Sequence, residues 1–180
     1  MLTDEKLMND VRDGHLKEMS ELWNRYHVRI YNYFRRTGLD KSQSEDLTQT
    51  AFERAIKYRN SYKDSYPFKA WIYRIASNVK IDYFKKNAKN NFSGLEHVEA
   101  VSSDTADSHI LSKEKYNHLY KAMATLTDEQ KQVIYLSKYE EMKYVQIAEI
   151  LGCSESALKV KVHRAMKSLK SAFLNQNHEG

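Results

Sequence analysis

Apolar residues at Tyr144, Ile147, Ala148 and Leu151 recur at i, i+3, i+4 and i+7, the spacing of one helix face. Gly152 follows, a residue that takes the left-handed turn at a helix end without steric cost. Ser154 then stands at an N-cap position, where its hydroxyl can accept from an orphan backbone N–H. A second apolar stripe runs through Leu158, Val162, Ala165, Leu169 and Phe173. Two short amphipathic helices joined by a tight turn predict a helix-turn-helix. On the far face of the second helix lie Ser156, Val160, His163 and Lys167, flanked by Lys159 and Arg164. Such a face suits a DNA major groove, because cations meet phosphates, polar groups read base edges and an apolar group touches a thymine methyl. A solvated basic helix on a bundle has the same composition, and spacing alone leaves both readings open.

The helical period continues upstream. Thr3 is placed to cap a short helix with Leu7, Met8 and Val11, broken at Asp13-Gly14. A longer helix carries Leu16, Met19, Leu22 or Trp23, Tyr26, Ile30 and Phe34 and closes at Gly38. Ser42-Gln43-Ser44-Glu45 has the form of a capping box, opening a helix through Leu47, Ala51, Phe52 and Ala55 to about Tyr58. That helix turns Asp46, Gln49 and Glu53 outward, which on its own describes an ordinary solvated face. A polar loop from Asn60 to Tyr66 precedes Pro67, the sole proline, which suits the start of a helix. The helix buries Phe68, Trp71, Ile72, Ile75, Ala76 and Val79 and turns out Lys69, Arg74, Asn78, Lys80, Asp82, Lys85 and Lys86. Tyrosines in a loop beside a basic helix suit single-stranded DNA, where bases stack on rings and cations track the backbone. Alternatively the rings fill a small core, the place expected for Trp71.

Residues 90–112 contain no Lys or Arg and lose the apolar period, with Glu96, Glu99, Asp104 and Asp107 among small polar residues. This predicts a flexible linker. Beyond it Leu119, Met123 and Leu126 support a helix, and Thr127-Asp128-Glu129-Gln130 is a second capping box. The expected fold is therefore all-α: two small helical domains, at 1–89 and 109–180, joined by a linker at 90–108, the C-terminal one containing the helix-turn-helix.

Composition narrows the function. A formal charge of +5 favours a polyanionic partner. One cysteine, Cys153, excludes an internal disulfide and fits a reducing compartment. No apolar run approaches the roughly 20 residues of a membrane span, and Asp4, Glu5 and Lys6 do not open a signal peptide. The seven histidines are scattered without zinc spacing, and there is no phosphate loop or G-x-S-x-G. No catalytic residue, metal or cofactor is expected.

Several motifs then occur in a telling order. Asp46-Leu47-Thr48-Gln49-Thr50-Ala51-Phe52-Glu53-Arg54-Ala55 resembles the second-region helix of bacterial sigma factors. Phe68-Lys69-Ala70-Trp71-Ile72-Tyr73-Arg74-Ile75-Ala76-Ser77-Asn78-Val79-Lys80-Ile81-Asp82 is similar to their minus-10-reading helix. Leu126-Thr127-Asp128-Glu129-Gln130, Ile147-Ala148-Glu149-Ile150-Leu151-Gly152 and Val162-His163-Arg164-Ala165 resemble the fourth region. The short linker, without a third folded domain, resembles the extracytoplasmic-function (ECF) group.

The resemblance implies a cytoplasmic initiation factor that joins core RNA polymerase and selects promoter DNA. It implies that Asp46, Gln49 and Glu53 dock on the clamp helices of the largest subunit, and that the C-terminal domain meets the flap of the second-largest. It assigns Ser61, Tyr62, Lys63, Asp64, Ser65 and Tyr66 to capture of a flipped minus-10 base, with Arg74, Asn78 and Lys80 beside that DNA. It assigns Ser156, Lys159, Val160, Lys161, His163 and Arg164 to the minus-35 element or its phosphates. It implies an anti-sigma factor, often membrane-bound, although no residue here names one. Three positions depart from the family pattern. Thr50 stands where Glu is usual, Ala157 where Thr is common and Val160 where Ser is common, so promoter preference is expected to differ. The alternative is a helix-turn-helix regulator that does not enter polymerase, which accounts for the C-terminal half alone.

Overall fold

The computed structural model describes residues 2–90 and 110–176, and among these every regular element is helical. The first unit comprises α1 (Asp4–Arg12), α2 (Met19–Arg36), α3 (Lys41–Lys57) and α4 (Phe68–Asn90), with short 3-10 turns at Leu16–Glu18 and Arg59–Ser61. The second comprises α5 (Ile110–Ala124), α6 (Asp128–Ile134), a π-turn at Tyr135–Tyr139, α7 (Tyr144–Leu151) and α8 (Glu155–Gln176). The predicted linker falls outside the described residues, except Asn90, which ends α4. Among the described residues no helix is long and apolar enough to cross a membrane.

Local chemistry explains most boundaries. Thr3 caps α1 by accepting from the Lys6 amide at 3.2 Å. Thr127 and Gln130 form the expected reciprocal box at α6. Gly152 ends α7 at φ 65, and Ser154 Oγ accepts from the Ala157 amide at 3.2 Å. The start of α3 differs from expectation. Its box is Asp40 with Gln43, where Asp40 accepts from the Gln43 amide at 2.8 Å and the Gln43 side chain takes the Asp40 amide. Two boxes overlap in this stretch, and the one led by a carboxylate, the stronger acceptor, sets the boundary. Ser44 is consequently buried inside the helix. Pro67 lies one residue outside α4. The Phe68 amide behind it is satisfied by Glu5 of α1 at 3.2 Å, which ties the first helix to the fourth.

Within the first unit α2 packs on α3 and α3 on α4; within the second α8 packs on α5, α6 and α7. The stripes predicted on α2, α4, α7 and α8 supply the core, with Trp71 buried as expected, except that Leu16 lies in the 3-10 turn before α2 and is exposed. The buried side chains of the two units form one continuous apolar cluster. α4 is the reason. Besides the stripe facing α2 and α3, it buries Tyr73, Ser77 and Lys80, spaced four and three residues apart, against the second unit. Gly38, at φ 104, lies so close to Asp128 of α6 that a Cβ there would come within 2.5 Å of its carboxylate.

Lys80 is 6% exposed and donates to the Thr37 carbonyl at the end of α2 at 2.5 Å. Burial lowers its pKa to about 8, against a partial upward pull from Asp128 and a downward push from Lys131. Below pH 8 the ammonium is charged in both folded and unfolded chains, and the folded state carries the full desolvation cost. Between pH 8 and about 10.5 the folded chain has released the proton and the unfolded chain has not, so this group makes stability rise with pH. The rise is on the order of 3 kcal/mol at most. Urea unfolding at pH 7.5 and pH 10 is expected to show this gain in the native chain relative to Lys80→Met. Parallel pH profiles would contradict it.

Candidate nucleic-acid interface

Two surfaces collect the residues expected at DNA. The first lies where the loop of residues 61–66 meets α4. A cavity of about 580 Å³ opens there, lined by Ser61, Lys63, Ser65, Tyr66, Arg74 and Asn78 among others. The loop is held from below. Arg12 of α1 pairs with Asp64, and Tyr62 drops into the core, 2% exposed, its ring edge-on to Trp71 at 5.2 Å. The Tyr62 hydroxyl donates to the Tyr66 carbonyl at 2.7 Å, which fixes the far end of the loop. Tyr66 is one of three rings at the cavity, with Tyr58 and Trp71. It is half-buried, and burial with the nearby Glu149 carboxylate pushes its phenol up to about 12, so it stays neutral.

This geometry corrects two expectations. Tyr62 offers no face for stacking, because its ring completes the core. Lys80 does not stand beside Arg74 and Asn78 at the surface, because α4 is covered on that side by the second unit. Arg74 and Asn78 are exposed at the cavity, and Lys63, Asp64 and Ser65 lie at its rim or beside it.

The second surface is the outward face of α8. Ser156, Lys159, Val160, His163 and Arg164 are all exposed there, with Val160 at 48%. The Gly152–Ser154 turn aims the start of α8 outward. Lys159 pairs with Glu155 one turn earlier at 3.0 Å. Lys161 is half-buried and pairs with Glu129 of α6, so it points along the protein rather than out. A shallow groove beside it is lined by Thr127, Glu129, Gln130, Lys161 and Arg164.

A third, separate face lies on α3. Asp46, Gln49 and Glu53 are exposed on one stripe, and Gln49 donates to Glu53 at 2.9 Å. Thr50 donates to the Asp46 carbonyl at 2.9 Å, turning its hydroxyl inward along the helix. Among the described residues no cluster of three or more His, Cys, Asp or Glu side chains could hold a metal ion.

One group of side chains has no counterpart in the sequence reading. Glu140, 6% exposed just after the π-turn, takes Arg29 of α2 at 2.5 Å and Lys69 of α4 at 3.0 Å. Lys69 also donates to the Glu140 backbone carbonyl. Burial alone would raise the Glu140 pKa, but the bonds from Lys69 and Arg29 outweigh it and hold the carboxyl below its ordinary value. Around it Tyr135 donates to the Arg29 carbonyl at 3.0 Å, Gln132 reaches Tyr33 and Ser77, and Arg36 lies 4.6 Å over the Tyr139 ring. These contacts join residues from 55 to 111 positions apart, which no local period reveals. The one local hint is the run Tyr135-Leu136-Ser137-Lys138-Tyr139-Glu140, too polar and aromatic for a plain solvated turn.

Comparison with known proteins places the two units. Residues 22–90 match the model of sigma-70 region 2 and residues 116–169 that of sigma-70 region 4, together more than half of the chain. The RNA polymerase sigma factor YlaC of Bacillus subtilis is 27% identical over 168 residues, spanning 92% of this chain and 97% of that one. The ECF RNA polymerase sigma factor SigW of the same organism is 27% identical over 175 residues, spanning 92% and 94%. The fold is shared with CnrH, solved in complex with the cytosolic domain of CnrY, at 21% identity, TM-score 0.70 and coverage of 96% and 97%. It is shared also with RpoE of Bartonella quintana, solved with the anti-sigma factor NepR, at 19% identity, TM-score 0.71 and coverage of 87% and 96%.

The two loop tyrosines are expected to behave differently on truncation. Tyr62→Ala removes a core ring and should cost about 3–5 kcal/mol of stability. Tyr62→Phe loses only the bond to Tyr66, about 1 kcal/mol. Tyr66→Ala should cost distinctly less than Tyr62→Ala. Equal costs for the two alanine variants in urea titrations would contradict this division.

Proposed function

The chain belongs to the sigma-70 family of RNA polymerase initiation factors, in its extracytoplasmic-function group, and from that premise we propose how its surfaces divide the work. It binds core RNA polymerase and directs promoter-specific initiation. The exposed stripe Asp46–Gln49–Glu53 docks on the clamp helices of the largest subunit. The second unit meets the flap of the second-largest. The cavity between loop 61–66 and α4 receives the unpaired minus-10 strand, with Tyr66 as the stacking ring and Arg74 and Asn78 meeting backbone and base. The α8 face reads minus-35 DNA through Ser156, Lys159, Val160, His163 and Arg164.

The observation that carries this reading is the separation of the two surfaces. A cavity with an aromatic wall and a cationic rim is built by the first unit, with Glu149 alone reaching it from the second, and an exposed basic helix face lies on the second unit. The first shape suits a base outside the duplex. The second suits a major groove. Val160 offers an apolar contact where the family commonly has a hydroxyl, which favours a thymine methyl over a hydrogen-bonding base edge. Lys161, paired with Glu129, reaches a phosphate only by leaving that partner. The protein acts in the cytoplasm, where polymerase and promoters are. An anti-sigma factor binds it, in the way that RpoE of Bartonella quintana was solved in complex with the anti-sigma factor NepR.

Purified core polymerase, the chain and a promoter library are expected to give transcripts from discrete start sites, with no second initiation factor. Dependence on another factor would contradict the reading. Glu53→Lys reverses an exposed charge on the docking stripe. It should weaken core binding roughly threefold to tenfold at low salt, with the difference shrinking as salt rises. Titration of labelled chain with core polymerase across a salt series measures this, and unchanged affinity would remove Glu53 from the docking face.

A further inference from the structure

The loop of residues 61–66 alternates in what its side chains meet. Ser61, Lys63, Ser65 and Tyr66 line the cavity, whereas Tyr62 and Asp64 do not. Tyr62 is taken by the core and Asp64 by Arg12 of α1. Asp64 and Ser65 are the central residues of a turn, which the Tyr66 amide closes by donating to the Lys63 carbonyl at 2.9 Å. The ion pair therefore grips the apex of that turn through a side chain that the cavity does not use.

α1 is a firm base for such a grip. Its Leu7, Met8 and Val11 are buried in the core. Its Asp4 accepts from Arg25 of α2 at 2.7 Å and from the Tyr26 hydroxyl. Its Glu5 accepts from the Phe68 amide at 3.2 Å, just beyond the loop. One helix thus holds the segment at residue 64 and at residue 68, with Tyr66 between the two points. Groups that recognise a ligand must be kept within about 0.5 Å of their working geometry by neighbours that need not touch the ligand.

On the reading of the cavity as the minus-10 site, we propose that Arg12 is a positioning residue for minus-10 recognition. Through Asp64 it fixes the turn that presents Lys63, Ser65 and Tyr66, and Asp64 serves that hold rather than touching the captured base. Asp13 meets the same guanidinium at 3.1 Å and steadies it. Both partners are partly solvated, with side chains 28% and 63% exposed, so the pair orders the turn and adds little to global stability. Its loss is read in base discrimination, not in folding.

The test uses the full chain with core polymerase and a promoter library randomised at both elements. Arg12→Ala, Asp64→Ala, the double variant and Arg12→Lys are compared, and circular dichroism verifies that helix content is kept. Each alanine variant is expected to lower preference for the favoured minus-10 base roughly twofold to fivefold, with minus-35 preference in place. The double variant is expected to lose no more than either single one, because both remove the same interaction. Arg12→Lys, which keeps the charge, is expected to keep most of the preference. Arg12→Ala removes a cation and Asp64→Ala an anion. Charges acting on DNA directly would move promoter affinity in opposite directions, while a shared hold moves discrimination the same way. Additive losses, opposite changes, equal losses in Arg12→Lys and Arg12→Ala, or unchanged preference in Arg12→Ala overturn the proposal. Asn78→Ala locates the failure. If it shifts minus-10 preference and Arg12→Ala does not, the cavity reads the base and the hold alone is wrong. If neither shifts it, the reading of the cavity fails and the proposal falls with it.

Discussion

Glu140 brings a charge into the contact between two helical units, and the arrangement of the whole chain depends on how that charge is held. A carboxylate buried alone would cost several kcal/mol or take up a proton. Here Arg29 and Lys69 arrive from two different helices of the opposite unit and keep it ionised. Such a pair adds little net stability over a well-packed apolar contact, but it accepts only one register. It thus specifies which faces of α2 and α4 the second unit covers, and with them which residues of α4 meet solvent. The π-turn and Glu141, at a left-handed φ of 50, are the backbone departures that aim Glu140 at its partners. Departures of this kind persist where surrounding contacts enforce them.

That one contact explains which parts of the structure were legible in the sequence. Helix ends were legible where the cap is local, as with Thr3, Thr127 and the Gly152–Ser154 turn. The start of α3 was not, because Asp40 and Ser42 both head plausible boxes and the carboxylate prevails. The core stripe of α4 was legible as Phe68, Trp71, Ile72, Ile75 and Val79. Its second buried face was not, because Tyr73, Ser77 and Lys80 look like the polar side of a two-faced helix until a partner covers them. Lys80 therefore seemed free for DNA, and Tyr62 seemed exposed because it sits in a polar loop. In each case the deciding neighbour is distant in sequence.

The candidate site shows the same division. The exposure of the α8 face was legible almost residue by residue, since an amphipathic helix is a local pattern on one side of a cylinder. The pairings of Lys161 with Glu129 and of Lys159 with Glu155 escaped it. The cavity at the loop was legible as a place but not as a list. Tyr66, Arg74 and Asn78 line it, Tyr62 is buried in the core against Trp71, and Glu149 enters from the other unit. An acidic residue within the first helix of the helix-turn-helix carries no signal of that position in its own surroundings.

The structure packs the two units together, whereas the proposed assignment of the two surfaces to separate promoter elements requires them far apart. By their names the elements lie about 25 base pairs apart, roughly 85 Å of B-DNA at about 3.4 Å per step. Energy transfer between dyes on the two units tests this most directly, for example at Ser42 and Lys170, both exposed, with Cys153 replaced by Ser. The free chain is predicted to show high transfer, and adding core polymerase and promoter DNA should drop it to the level expected for units roughly 85 Å apart. Low transfer in the free chain, or high transfer that survives in the promoter complex, would contradict the account.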